Sequence, residues 1–282
     1  MRARAPASSA NLGPGFDTLA VAVGLYVEVE VTPAPTLTVT SRGEGADLPC
    51  DRHHLAARVA IEVAGTDRLA VSVRSEIPVG RGLGSSAALA VAAAAAAGAD
   101  DPLAWGVRID GHPENAAASF AGGLVAASVI GGETVVRSLP LDDQLRFVLL
   151  VPDRPLPTAG ARAALSPTVP HADAAFNLGR LALLVAGLAD HRRLVPGAMD
   201  DRLHQEQRAV LFPEAPALLQ GLREAGALAC CWSGAGPSLL GLATAATVEE
   251  VAAEGAAVLK RNEMAGRVLA LAADTAGLTV SA

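Results

Sequence analysis

Apolar and polar positions along this chain switch repeatedly between a period of two and a helical period, which predicts short strands and helices in mixed order. Leu25–Val31 and Leu37–Thr40 alternate and predict a strand pair; His53–Val63 shifts to helical spacing, and Leu69–Arg74 returns to alternation. Ser85–Ala97 predicts a long helix with alanine on nearly every face. A helix with no polar side is expected to be enclosed around most of its circumference, and Gly98 is its expected stop. Pro102–Ile109 predicts a short helix, and the Gly111-His112-Pro113 break starts another with proline in its first turn. Gly123–Ile130 and Glu133–Ser138 read as strands joined at Gly131-Gly132, followed by a strand at Leu145–Val151. Beyond a proline-rich loop, Pro152–Pro157, helices are expected at Ala172–Ala189, Ala198–Leu211 and Pro216–Ala225. Strands Ala227–Trp232 and Ser238–Leu242, a helix near Val248–Asn262 and a strand at Val268–Ala272 complete the pattern. The expected architecture is α+β in two domains sharing a cleft, residues 1–151 and 152–282, divided at the proline-rich loop.

Composition narrows the partners. The 282 residues are 51% hydrophobic but only 3% aromatic, so the cores must be built from Ala, Val and Leu at close range. A net charge of −7 and a pI near 5.4 argue against a nucleic-acid or anionic-membrane surface, which needs clustered Lys and Arg. Ala87–Ala97 is too short to span a bilayer. The N-terminal MRARAPASSANLGPGF has no apolar run of signal length, so a cytoplasmic protein is expected. Cys50, Cys230 and Cys231 are odd in number and lack zinc-ligand spacing, as expected of reduced thiols. Oligomeric state is not readable here, and a homodimer is left open.

Glu76–Ala88, EIPVGRGLGSSAA, carries the chemistry. Its glycines permit a sharp bend and close approach to a ligand. The unpaired N–H groups of the following helical turn, with the helix dipole behind them, attract phosphate without a formal charge. A P-loop would need a lysine after its last glycine, and the only lysine is Lys260. The dinucleotide fingerprint fails because Gly80-x-Gly82-x-Gly84 runs directly into Ser85-Ser86. The plainer alternative is a strand-to-helix turn with Ser85 as N-cap, but one cap does not require three glycines.

Pro78–Ala87 matches without a gap the phosphate loop Pro-x-x-x-Gly-Leu-Gly-Ser-Ser-Ala of the GHMP kinase superfamily. Pro6–Tyr26, Gly111–Leu124 and Asp201–Glu214 are similar to its homoserine kinase branch, and Trp232–Leu242 resembles the superfamily's C-terminal glycine motif. The resemblance implies an N-terminal domain of the ribosomal protein S5 domain 2-like type and a ferredoxin-like C-terminal domain, with the active site between them. It implies ATP-dependent phosphorylation of the side-chain hydroxyl of L-homoserine in threonine biosynthesis, with Mg²⁺. Pro78, Val79, Gly80, Arg81, Gly82, Leu83, Gly84, Ser85, Ser86, Ala87 and Ala88 are then the nucleotide-binding residues. Asp17 matches the partner of the substrate ammonium, with Asn11 beside it; Arg162 and Arg208 match the carboxylate clamp. Thr158 falls near the phosphates, Asn115 beside the reacting hydroxyl, and His112 close to substrate. Ser86 and Asn115 are the implied catalytic pair, and Ser86 a metal ligand together with a glutamate on the helix before Gly111. Counting back from His112 without a gap puts Ala104 where that glutamate is expected. Asp100, Asp101 and Asp110 are the nearest substitutes, unless all three are solvated helix ends. The Ser233–Ser238 turn is expected to support the phosphate loop or to be a simple hairpin turn. Two rivals stand beside this reading: a kinase for another small alcohol, of mevalonate or sugar type, and a non-catalytic nucleotide-binding regulator, which Ala104 favours.

Overall fold

The computed structural model describes residues 1–281. The first part of the chain runs β1 (Arg2–Ala10), β2 (Leu19–Pro33), β3 (Thr38–Gly43), α1 (Leu55–Ala64), β4 (Leu69–Ser75), α2 (Ser85–Ala97), α3 (Pro102–Asp110), α4 (Glu114–Ala121), β5 (Leu124–Ile130) and β6 (Glu133–Leu139). The rest follows as β7 (Leu145–Pro152), α5 (Thr158–Ala163), α6 (His171–Ala189), α7 (Gln205–Arg208), α8 (Ala215–Glu224), β8 (Ala229–Trp232), β9 (Leu239–Thr244), α9 (Val248–Arg261), β10 (Gly266–Leu271) and β11 (Thr279–Ser281).

The described strands form two sheets. In the first, β2 pairs along one edge with β1; along the other it pairs with β5 through Leu19–Val21 and with β4 through Val27–Pro33. The expected pairing of residues 25–31 with 37–40 does not occur: β3 instead lies parallel to β4. Helix α1 connects those two strands, and a parallel pair needs such a crossover. Helix α2 packs on β1 and β2 with α1, α3 and α4 around it, and nine of its residues are buried. Left-handed glycines, Gly84 and Gly98, cap its two ends.

The second sheet has the antiparallel order β10-β7-β9-β8, the arrangement of a ferredoxin-like βαββαβ unit. Strand β7 explains how the two halves share a core. Phe147, Leu149 and Val151 join the large cluster with Leu184, Leu188, Cys231 and the first sheet, while Val148 and Leu150 face α8 and α9 beside Leu218, Leu222 and Val258. Period-two alternation therefore makes one strand the wall of both layers. The expected boundary at 151 falls at the end of β7, which lies in the second sheet, and β11 returns to pair with β1.

The helix expected over Ala198–Leu211 shrinks to α7. The Asp201 carboxylate accepts hydrogen bonds from the backbone N–H groups of Leu203, His204 and Gln205, which holds the preceding residues in a turn. Helix α6 is long and apolar enough to cross a membrane; it packs into the core through Leu184 and Leu188.

Because β7 serves both layers, Leu149→Ala should cost about 2–5 kcal/mol. In denaturant titration, fluorescence and circular dichroism should lose structure in one coincident transition; separate transitions for the two sheets would contradict a shared core.

Candidate active site

The glycine loop connects β4 to α2 and is held in place from both halves of the molecule. Gly80, Gly82 and Gly84 all have positive φ, at 67°, 72° and 64°. At Gly82 a Cβ would lie 2.2 Å from the Ser233 carbonyl oxygen, and at Gly84 2.1 Å from Ser8 Oγ. Side chains are excluded there by backbone conformation and by space. The Ser8 N–H donates to Leu83 O at 3.1 Å and the Leu156 N–H to Gly80 O at 3.1 Å. From the Ser233–Ser238 turn, Ser233 Oγ donates to Gly82 O at 2.7 Å and lies 2.8 Å from Ser9 Oγ. Gly84, not Ser85, is the N-cap, and it brings no capping side chain. The first helical bond runs from Ala88 N to Gly84 O, and among the described residues the N–H groups of Ser85, Ser86 and Ala87 have no partner. These orphan donors sit at the positive end of α2.

Beside them lies a cavity of about 80 Å³ between the two halves, lined by charges of both signs. Asp17 comes from the β1–β2 connection, where Asn11, Leu12 and Asp17 all have positive φ. Asn11 holds that strained turn: its Oδ1 accepts from Asp17 N at 3.0 Å and its Nδ2 donates to Gly234 O at 3.0 Å. Arg162, on α5, makes a two-pronged ion pair with Asp17 at 2.7 and 2.9 Å, which raises the arginine's pKa. Arg208 is 2% exposed. It donates through Nε to Ala161 O at 3.3 Å and through Nη1 to His204 Nδ1 and Gly234 O, both at 3.0 Å. Burial, and then the Arg162 charge, pull Arg208 down to about 10, so it stays cationic at neutral pH. Both guanidiniums stand about the Phe16 ring, 5.4 and 5.5 Å from its centre.

The α3–α4 junction closes the opposite wall. Asn115 accepts a hydrogen bond on Oδ1 from buried Ser8 Oγ at 2.9 Å, which turns its amide nitrogen toward the cavity. Glu114 is 1% exposed. Its Oε1 lies 2.7 Å from His112 Nδ1, at ion-pair distance but too bent for a hydrogen bond, and its Oε2 has no partner among the described residues. Contact with Glu114, aided by Asp110, raises the His112 pKa. Asp110 ends α3 facing the same space; burial pushes its carboxyl up to about 6, the Glu114 charge adds to that, and His112 opposes it.

The structure thus brings together Asn11, Asp17, Gly80, Arg81, Gly82, Leu83, Gly84, Ser85, Ser86, His112, Asn115, Thr158, Arg162 and Arg208 around one cavity. The side chains of Pro78, Ala87 and Ala88 are buried in packing and that of Val79 is exposed outside the lining; these four side chains shape the loop without facing the cavity, and Ala87 contributes only its backbone N–H. Ala104 does not line the cavity, and of Asp100, Asp101 and Asp110 only Asp110 does. Ala104 is exposed on α3, where its N–H is capped by Asp101, and the continuous helix carries Asp110 into the cleft about 9 Å further along. Glu114, Phe16 and His204 were not anticipated. Only Glu114 left a signal, as a carboxylate wedged between the motif's proline and asparagine.

A glycine loop gripping a helix start, next to a charged cavity between an S5-like and a ferredoxin-like half, defines a small-molecule kinase of the GHMP class. Residues 52–132 match the GHMP kinases N terminal domain and residues 175–261 the GHMP kinases C terminal family. Homoserine kinase of Streptomyces coelicolor is 42% identical over 271 residues, covering 90% of this chain and 87% of that protein. Homoserine kinase of Solibacter usitatus is 40% identical over 253 residues, covering 84% and 83%. The crystal structure of homoserine kinase from Cytophaga hutchinsonii superposes with a TM-score of 0.82 at 26% identity, covering 100% of this chain and 97% of that one. The chain belongs to the homoserine kinase family of GHMP kinases.

Gly82→Ala should drive a methyl group into the Ser233 carbonyl and loosen the loop, at a cost of roughly 1–3 kcal/mol. The ATP KM should rise with little change in the KM of the phosphate acceptor, as read by coupled ADP-release kinetics; equal rises in both would show that the loop does not act on the nucleotide alone.

Proposed function

We propose that the chain transfers the γ-phosphoryl group of ATP to the side-chain hydroxyl of L-homoserine, giving O-phospho-L-homoserine for threonine biosynthesis. The observation that carries this reading is one small cavity lined by two arginines, Arg162 paired with Asp17 and Arg208 buried, together with Glu114 and the unpaired amides of α2; the substrate's own charges would take over the Arg162–Asp17 pair. A zwitterionic amino acid complements that arrangement. Its carboxylate sits between Arg162 and Arg208, and its ammonium at Asp17 and the free Oε2 of Glu114. Mevalonate would leave the acidic side unmatched, and a neutral sugar would leave both sides unmatched. The regulator reading loses its support once Asp110 supplies the carboxylate that Ala104 lacks.

Phosphoryl transfer asks the protein for position and charge neutralisation. The orphan amides of Ser85, Ser86 and Ala87 take the phosphate oxygens, and the Asn115 amide nitrogen, fixed by Ser8, orients the attacking hydroxyl. His112 is engaged by Glu114, which raises its pKa, and we assign it a place beside the substrate rather than the role of base; the hydroxyl proton passes to the transferring phosphoryl group. Ser86 and Asp110 offer hard oxygen donors for Mg²⁺. Asp110 fits that role, because its burial outweighs both the His112 charge and the Asn115 hydrogen bond and leaves the carboxylate short of positive partners. Magnesium, when bound, neutralises charge on the phosphate oxygens. We place the chain in the cytoplasm, where Cys230 is inert because burial pushes its thiol up to about 11.

Arg208→Ala should raise the homoserine KM far more than the ATP KM, since truncating one charge of a buried clamp costs about 2–5 kcal/mol. Equal effects on both would remove Arg208 from the acceptor pocket. Asp110 titrates near 6 in the folded protein, so activity at limiting magnesium should rise as pH passes that value. Added magnesium should move this limb to lower pH, because metal and proton compete for one carboxylate. The sign for stability is opposite. A carboxyl with a raised folded pKa costs nothing while protonated and destabilises progressively as pH rises from about 4 through 6, a penalty of about 1–3 kcal/mol at neutrality. Asp110→Asn should therefore lower turnover yet raise Tm at pH 7.5; a lower Tm, or an unshifted magnesium midpoint, would contradict this assignment.

A further inference from the structure

We infer that His204 is a positioning residue for acceptor recognition: its neutral imidazole, held in one tautomer by the Gly13 carbonyl, accepts a hydrogen bond from Arg208 and so fixes which edge of the guanidinium faces the cavity. This rests on the reading of Arg208 as a carboxylate clamp. His204 Nε2 lies 2.9 Å from Gly13 O. A carbonyl oxygen only accepts, so the proton is on Nε2 and Nδ1 carries a bare lone pair. Arg208 Nη1 donates to that lone pair at 3.0 Å. A proton on Nδ1 would set two donors against each other; His204 is fully buried, and burial brings its pKa down to about 4.

The ring is itself fixed on several sides. Asp201, buried and hydrogen-bonded by Asn177 of α6 at 2.8 Å, accepts from the backbone N–H of His204 at 2.9 Å and so fixes the main chain that carries the ring, and Phe16 stacks on the imidazole with centroids 5.1 Å apart. Arg208 follows one helical turn later, the spacing at which side chains meet. With Nε on Ala161 O and Nη1 shared between His204 and Gly234, Nη2 alone lacks a partner among the described residues, at the lining of the cavity. His204 thus decides where the free donor points without touching substrate.

Two variants separate this role from packing. In His204→Asn, Oδ1 can stand in for Nδ1 as the acceptor; in His204→Gln, the amide reaches Gly13 but offers Arg208 no acceptor. His204→Gln should raise the homoserine KM roughly tenfold, the worth of one hydrogen bond to a charged group, with the ATP KM within about twofold, and His204→Asn should recover most of that loss. Equal KM rises in both variants that track their fall in Tm would overturn the inference. So would an unchanged homoserine KM in His204→Gln while Arg208→Ala raises it. An unchanged homoserine KM in Arg208→Ala would overturn the acceptor reading, and the role of His204 with it. In the unmutated protein, ¹⁵N NMR between pH 5 and 8 should show His204 protonated on Nε2 alone; an Nδ1–H or doubly protonated ring overturns the inference without any variant.

Discussion

The site depends on the contact between the Gly80–Ser86 loop and the Ser233–Ser238 turn. Ser233 hydrogen-bonds the Gly82 carbonyl and meets Ser9 of β1, so a single hydroxyl ties together the phosphate loop, the first sheet and the second half of the molecule. Their approach is so close that Gly82 has no room for a methyl group, and Ser8 and Asn115 close the same space at Gly84. A helix N-terminus attracts anions only if its amides are left free and aimed. Here the loop's carbonyls are occupied by the surrounding protein, and the amides of the first turn are the groups left over.

The same junction solves an electrostatic problem. A chain of net charge −7 gathers two arginines and three carboxylates around a small cavity, with Arg208 and Glu114 buried, where unpaired charge is expensive. Arg162 and Asp17 pair with each other, Arg208 spreads its charge over two carbonyls and an imidazole, and Glu114 leans on His112. Glu114 Oε2 has no partner among the described residues, and His112 and Asn115 only partly offset the burial of Asp110; these two groups face the places where the proposed mechanism brings the substrate ammonium and the metal. Charge left unsatisfied by the fold is thereby available for ligands, at a cost in stability that the shared core around β7 offsets.

Much of this was legible in the sequence because it is written locally. The bounds of α2 follow from its alanine run and flanking glycines, and the phosphate loop from its spacing. Strand β1 was missed because its alternation, exposed Arg2 and Arg4 against buried Ala3 and Ala5, is written in alanine and lacks the β-branched residues that mark most strands. The helix over 198–211 was over-extended because the turn that shortens it is made by one Asp201 carboxylate. Counting along the helix leaves Asp100, Asp101 and Asp110 as equal substitutes for the glutamate missing at Ala104, and of these only Asp110 lines the cavity. The partnership of Gly13, Phe16 and His204 joins segments about 190 residues apart, and no local pattern encodes it.

On this reading, main-chain amides at the start of α2 hold the nucleotide's phosphates next to a pocket for a zwitterion. A crystal structure with a non-hydrolysable ATP analogue and L-homoserine tests it most directly. The terminal phosphates should lie on the N–H groups of Ser85, Ser86 and Ala87, with the amino-acid carboxylate between Arg162 and Arg208 and its hydroxyl at Asn115. Phosphates bound away from that helical turn, or homoserine bound outside the arginine pair, would contradict it.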